Sequence, residues 1–121
     1  MIVGTGIDLV EMERIRPLVH NQKFIDRILT PEERKAFYKM TNLRRQTEYL
    51  AGRFAAKEAF SKALGSGIGS RLSWQDISVL NQSLGQPILV YPFDKPHKVH
   101  LSITHTKNYA AAFVIIEGLS G

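Results

Sequence analysis

Apolar and polar positions alternate from the start of the chain. In MIVGTGIDLV, residues 1 to 10, Val3, Thr5, Ile7 and Leu9 fall on one face of a strand, and Gly4, Gly6 and Asp8 on the other. The second face is nearly bare, so something can approach the backbone closely there, with Asp8 at its end. Residues 11 to 28 carry the apolar set Ile15, Leu18, Val19, Ile25 and Ile28 at helical spacing, broken near Pro17, with Arg14, Arg16, Lys23 and Arg27 outward. TPEE then starts a helix: Thr30 is the N-cap, Pro31 fits the first turn, and Glu32 and Glu33 oppose the helix dipole. This helix is predicted to reach about Met40, and TNLRR to form a polar break. A long helix follows over residues 46 to 64 and stops at Gly65, a left-handed cap.

Beyond it the period changes from helical to two. GSGIGS, residues 65 to 70, reads as a loop; it follows a helix rather than opening one, and its glycine spacing does not fit a dinucleotide fingerprint. WQDISVLN (74 to 81) and ILVYPF read as strands around the turn SLGQP. In VHLSITHT, 99 to 106, Val99, Leu101, Ile103 and His105 face one way, and His100, Ser102 and Thr104 the other. The last strand, AAAFVIIE, is apolar on both faces, as a strand covered on both sides would be. Strand, helices, then a meander of strands predict an α+β fold: an antiparallel β-sheet packed against a long central helix.

Composition narrows the class. With 121 residues, 44% hydrophobic and 22% charged, the chain reads as a single domain, 1 to 121, with a core of its own. It has no cysteine, which excludes thiolate metal sites and disulfides. No apolar run suits a membrane span, and the N-terminus lacks the basic start of a signal peptide, so the expected location is cytoplasmic. The net charge is +5, and residues 30 to 65 hold eight bases against four acids. Such a field suits an anionic partner, whether phosphate, nucleic acid or acidic protein, and equally describes a solvated helical surface.

Candidate chemistry concentrates in AGRFAAKEAFSKALG, residues 51 to 65. Phe54, Glu58 and Lys62 share one stripe, on which Ala51 and Ala55 leave room for a ligand or another backbone; Arg53 and Lys57 form the neighbouring stripe. A plain Glu58–Lys62 surface pair would account for the carboxylate. Joined with Asp8, Glu58 could instead be half of a hard-metal site, because Mg²⁺ is held by one or two carboxylates with phosphate and water completing the octahedron. A phosphate-bearing substrate would then explain Arg53, Lys57 and Lys62. Thr104, His105 and Thr106 could seat a phosphate at a strand end; ordinary turn chemistry explains them as well. The glycines after Gly65 could let a narrow ligand lie against the backbone, or simply connect.

GIDLVEMERI, FAAKEAFSKAL and SITHT, in this order over essentially the whole chain, resemble the holo-acyl-carrier-protein synthase family, the small phosphopantetheinyl transferases of bacterial fatty-acid synthesis. The resemblance implies the 4′-phosphopantetheinyl transferase fold, and transfer of 4′-phosphopantetheine from coenzyme A to a serine of apo-acyl carrier protein, with 3′,5′-ADP released. It implies Mg²⁺ and a homotrimer with active sites at subunit interfaces, and no nucleic acid or membrane partner. On this chain it makes Asp8 and Glu58 the metal ligands. Glu58, directly or through water, would take the serine proton, and Lys62 would stabilise the leaving 3′,5′-ADP. Arg53, then Arg45, would hold the 3′-phosphate. Thr104, His105 and Thr106 would line the nucleotide, and Gly65 the groove wall. Arg14, Phe24 and Arg27, with Arg16 and Lys23, would meet the acidic carrier.

Two other classes compete for the same charge. A small basic nucleic-acid-binding protein fits the positive field, but its aromatics form no stacking platform. An adaptor that docks an acidic protein through residues 14 to 27 leaves Asp8, Glu58 and Lys62 unexplained. Loss of Glu58 separates an enzyme from either.

Overall fold

The computed structural model describes residues 1–69 and 71–119. Ser70, the last residue of the predicted glycine loop, lies outside the described residues. Strand β1 (Ile2–Glu11) leads into three short helical pieces: α1 (Met12–Ile15), a 3-10 turn (Arg16–His20) and α2 (Gln22–Ile28). Helices α3 (Pro31–Tyr38) and α4 (Leu43–Leu64) follow, then β2 (Ser78–Asn81), β3 (Pro87–Val90), β4 (His97–His105) and β5 (Tyr109–Gly118). The α+β architecture is the expected one, a long helix packed on an antiparallel sheet.

Local chemistry sets these boundaries. Pro17 turns the first helical stretch into a 3-10 piece, and Asn21 caps α2 through the Phe24 N–H. Thr30 and Glu33 complete a capping box on α3, which ends at Tyr38, short of the predicted Met40. The predicted start of the long helix at 46 is corrected to Leu43: the Asn42 side chain accepts the Arg45 N–H at 3.1 Å, so the polar break is itself a cap. Gly65 closes α4 with φ of 84°. The predicted strand 74 to 81 is also corrected. Ser73 and Asp76 form a capping box on a 3-10 turn (Trp74–Asp76), leaving only Ser78–Asn81 extended. β3 stops before Pro92, whose ring removes a donor.

The strands do not form one meander. β1, β5 and β4 make a three-stranded antiparallel sheet with β5 in the middle, while β2 and β3 make a separate ribbon. In register, Asp8 lies opposite Ala112, and Ala112 opposite Ile103. The bare face of β1 receives α4: a Cβ on Gly4 would overlap the Ala63 carbonyl, and one on Gly6 the Ala59 carbonyl. Ala51, Ala55, Ala59, Ala110, Ala112 and Val114 fill this contact and are buried. Phe60 extends the core, packing against Tyr91 and Phe93 at centroid distances of 5.0 and 6.0 Å. The opposite sheet face stays open, with Ile7 63%, Leu9 64% and Phe113 43% exposed.

Behind α4 lies a buried ion pair. Lys57 Nζ donates to Glu33 Oε1 at 2.6 Å, to the Ile28 carbonyl at 2.7 Å and to the Trp74 carbonyl at 3.1 Å. Glu33 also accepts from the Thr30 and Val79 N–H groups at 2.8 and 2.7 Å, and the Tyr49 hydroxyl donates to its carbonyl. Every polar atom of the pair is matched, which is the condition for burying charge.

Candidate active site

The alternation of β1 puts Asp8 on the helix side, just past the close contacts at Gly4 and Gly6. Across from it, between Tyr49 and Ala63, Phe54, Glu58 and Lys62 are the residues of α4 that escape full burial. Asp8 and Glu58 therefore meet in one cleft of about 360 Å³, which Arg14, Phe24 and Phe54 also line. Glu58 faces a second opening of about 520 Å³, with Arg27, Ile68, Gly69 and Trp74. It stands on the ridge between the two. Phe24, Phe54 and Trp74 stack in series, at centroid distances of 6.2 and 5.1 Å, and form the aromatic side of this ridge.

The local electrostatics are those of a carboxylate pair with Lys62 in direct contact and Arg14 on the same cleft wall. Lys62 Nζ donates to Asp8 Oδ1 at 3.2 Å and to the Ile7 carbonyl at 2.9 Å. It reaches for Asp8 rather than Glu58, so the surface Glu58–Lys62 pair is not the arrangement seen. Burial raises the Glu58 carboxyl above its ordinary range and the Asp8 charge raises it further, while Lys62 acts in the opposite direction. Among the described residues no group of three or more His, Asp and Glu could hold a metal. Two carboxylates on one cleft, each repelling the other's charge, are the donor set that suits a hard divalent cation completed by water and phosphate oxygens.

The cations predicted around Glu58 go three ways. Lys62 joins the site. Lys57 does not: helix rotation turns it into the core, where Glu33 and two carbonyls consume its donors, and burial lowers the pKa of its ammonium. Its assignment to substrate phosphate is corrected on that ground. Arg53 is 7% exposed. Its Nε donates to the Val79 carbonyl at 3.2 Å, its Nη2 to Asn81 Oδ1 at 3.1 Å, and its guanidinium sits 4.0 Å from the Tyr49 ring centroid.

Arg53 nonetheless floors a separate cleft of about 340 Å³, which Arg45, His105, Glu48, Pro87 and Ile103 also line. His105 Nδ1 lies 3.6 Å from Glu48 Oε2. Thr104 is not brought to it: it pairs with Ala111 on the open sheet face. Thr106 Oγ1 accepts the Asn108 and Tyr109 N–H groups at 3.3 and 3.1 Å and so builds the β4–β5 turn. Gly65 caps α4, with open space where a side chain would stand. Arg14 and Phe24 line the Asp8 cleft and Arg27 the opening beside it. Among the described residues the Arg53 cleft and the carboxylate cleft share no lining residue. Sequence reasoning missed Glu33 and the Trp74 wall; the only signal for Glu33 was its place as third residue of a capping box.

Comparison with known proteins bears on the family and the fold. Residues 4–114 match the family model described as the 4′-phosphopantetheinyl transferase superfamily. A holo-[acyl-carrier-protein] synthase of a Geobacillus species is 53% identical over 121 residues, 99% of this chain and 100% of that protein. One from Staphylococcus epidermidis is 54% identical over 117 residues, 97% of each. A crystal structure of a holo-(acyl-carrier-protein) synthase from Bacillus anthracis in complex with CoA (3′,5′-ADP) superposes with a TM-score of 0.90 at 49% identity, covering 98% of this chain and 99% of that one. The Neisseria meningitidis holo-[acyl-carrier-protein] synthase gives 0.85 at 38% identity, covering 97% and 99%.

Proposed function

We propose, from the premise that this chain belongs to the 4′-phosphopantetheinyl transferase superfamily and is an enzyme of that family, that it transfers 4′-phosphopantetheine from coenzyme A to a serine of apo-acyl carrier protein in fatty-acid synthesis. The serine oxygen forms a bond to the β-phosphorus of coenzyme A. The bond from that phosphorus to the bridging oxygen breaks, and 3′,5′-ADP leaves with the electron pair. One observation carries the reading: Asp8 and Glu58, fifty positions apart, line one cleft together with Arg14 and Phe24.

The residues divide the work as their positions allow. Asp8 and Glu58 would hold Mg²⁺, which when bound supplies charge neutralisation at the pyrophosphate. Glu58, its pKa raised, is suited to take the serine proton, directly or through a water. Lys62 is close enough to Asp8 to turn toward the departing phosphate. Arg45, Arg53 and His105 would receive the 3′-phosphate and nucleotide, with Gly65 on the groove wall. Arg14, Phe24 and Arg27 would dock the carrier's acidic helix, with charge steering the encounter.

Among the described residues the Arg53 cleft and the carboxylate cleft share no lining residue, and the sheet leaves an apolar face open. Both features support a homotrimer in which a neighbouring copy completes each site. The cytoplasm is the proposed location; among the described residues no helix is long and apolar enough to cross a membrane.

The test is the intact mass of apo-acyl carrier protein after incubation with this protein, coenzyme A and Mg²⁺, with a parallel sample in EDTA. The expected result is a gain of one phosphopantetheine that EDTA abolishes. A properly folded carrier that gains no mass with any divalent metal would overturn the reading.

A further inference from the structure

Helix α2 carries Phe24 and Arg27, two of the three residues assigned above to carrier docking. It has only seven residues, too short to hold its shape unaided. Yet its carbonyl end is saturated with donors from outside the helix. From the core, Lys57 Nζ donates to the Ile28 carbonyl at 2.7 Å, and the same ammonium reaches the Trp74 carbonyl at 3.1 Å. From the surface, Gln75 Nε2 lies 3.1, 3.0 and 3.0 Å from the carbonyls of Asp26, Arg27 and Leu29. Arg34 Nη1 donates to Leu29 at 2.6 Å and to Asp26 at 3.3 Å. Orphan carbonyls at a helix end are ordinarily left to water or to a single cap. Here three side chains from three segments converge on four consecutive carbonyls. One of them, Lys57, is the residue before Glu58.

We propose that Lys57, Gln75 and Arg34 are positioning residues: together they clamp the end of α2 to α4 and to the Trp74 turn, and so hold Phe24 and Arg27 at a fixed place relative to Glu58. The inference rests on the transferase reading for what docks on α2, but the clamp itself does not. A carrier that meets a rigid wall loses no binding energy to ordering it. The aromatic stack continues the same link, since Trp74 packs on Phe54 and Phe54 on Phe24. The buried Lys57–Glu33 pair thereby acquires a role in substrate selection beyond filling the core.

Gln75→Met tests the outer arm, because it keeps the side chain's length, removes its donors and alters an exposed residue. Two readouts are needed. In the full-length protein without substrate, amide hydrogen exchange of residues 26 to 29 should quicken in Gln75→Met while exchange in α4 stays as in the parent. In the transfer assay, KM for the carrier should rise about tenfold, the factor expected for losing one or two hydrogen bonds at the helix end, with KM for coenzyme A within about twofold. Lys57→Met combined with Glu33→Gln removes both buried charges together and tests the inner arm; the same split is expected. Unchanged exchange at 26 to 29 overturns the clamp whether or not the protein is a transferase. So does a parallel rise of both KM values that tracks a fall in Tm, since that is mere destabilisation. A parent protein that never loads the carrier sinks the transferase reading instead, and exchange still decides the clamp.

Discussion

Lys57 and Glu58 are neighbours with opposite environments, because one residue of α-helix is about 100° of rotation. Lys57 points into the core, and its charge is matched only by Glu33. Lys57→Met alone would strand that carboxylate, at a cost of about 3–5 kcal/mol, measurable by urea unfolding. Glu58→Gln should behave differently, cutting transfer at least about a hundredfold while leaving the metal-free protein no less stable. The sign follows from the pKa. Burial and Asp8 raise Glu58 in the folded state, so the fold binds that proton more tightly than the unfolded chain does. Stability of the metal-free protein therefore falls as pH rises upward from the ordinary carboxylate value. Glu58→Gln should remove this slope in melts taken across the range. The sequence made the Phe54–Glu58–Lys62 stripe legible, because helical spacing alone defines it. It could not separate Lys57 from Lys62, since the partner that buries Lys57 lies 24 residues upstream and pairs by tertiary contact. Arg53 shows the same limit: its hold on Val79 and Asn81 depends on β2, a strand whose placement spacing does not reveal.

Thr30, followed by Pro31 and two acids, marks the start of α3 in the sequence itself, and Gly65 marks the end of α4. Asn21, Asn42 and Ser73 cap helical pieces as well, but the first lies inside a continuous helical pattern, the second in a polar break and the third before a strand-like run, so none of them announces its cap. The pairing of β1 with β5 was hidden, because alternation gives a strand's faces but not its neighbour. The glycines of β1 were legible as a bare face, and the approaching group is α4 itself. Gly6→Ala would drive a methyl into the Ala59 carbonyl, which belongs to backbone and cannot swing aside. The expected loss is about 3 kcal/mol, at the upper end of overpacking costs, and thermal melts would show it. Because the same contact sets the separation of Asp8 from Glu58, activity at permissive temperature should fall more than stability alone explains.

For the molecule as a whole, the sheet has one finished face and one unfinished. Ala110, Ala112, Val114 and Ile116 of β5 are sealed under α4, whereas Phe113 looks outward beside Ile7 and Leu9. The apolar character of β5 on both faces was visible in the sequence; which face the chain covers by itself was not. Ile7→Lys should leave the monomer folded, turn a trimer into monomers in sedimentation, and abolish transfer, since no neighbour would then complete the site. An unaltered sedimentation coefficient with full activity would exclude this face as the contact. The pairing of β1 with β5 also fixes when the protein can come into being. The Met1 amide carbonyl accepts from the Gly118 N–H at 2.8 Å, so the first strand's ladder ends on nearly the last residue of the sheet. During synthesis β1 emerges first and waits about 10 s, at roughly 5–20 residues per second, for the strand that seats it. Throughout that interval the nascent chain trails an apolar strand that bears Asp8 and has no partner strand, although α4 has already emerged to meet its glycine face. A ribosome that stalls before β5 would hold a chain with half its carboxylate pair adrift and an edge open to aggregation, a client for chaperones rather than a working enzyme.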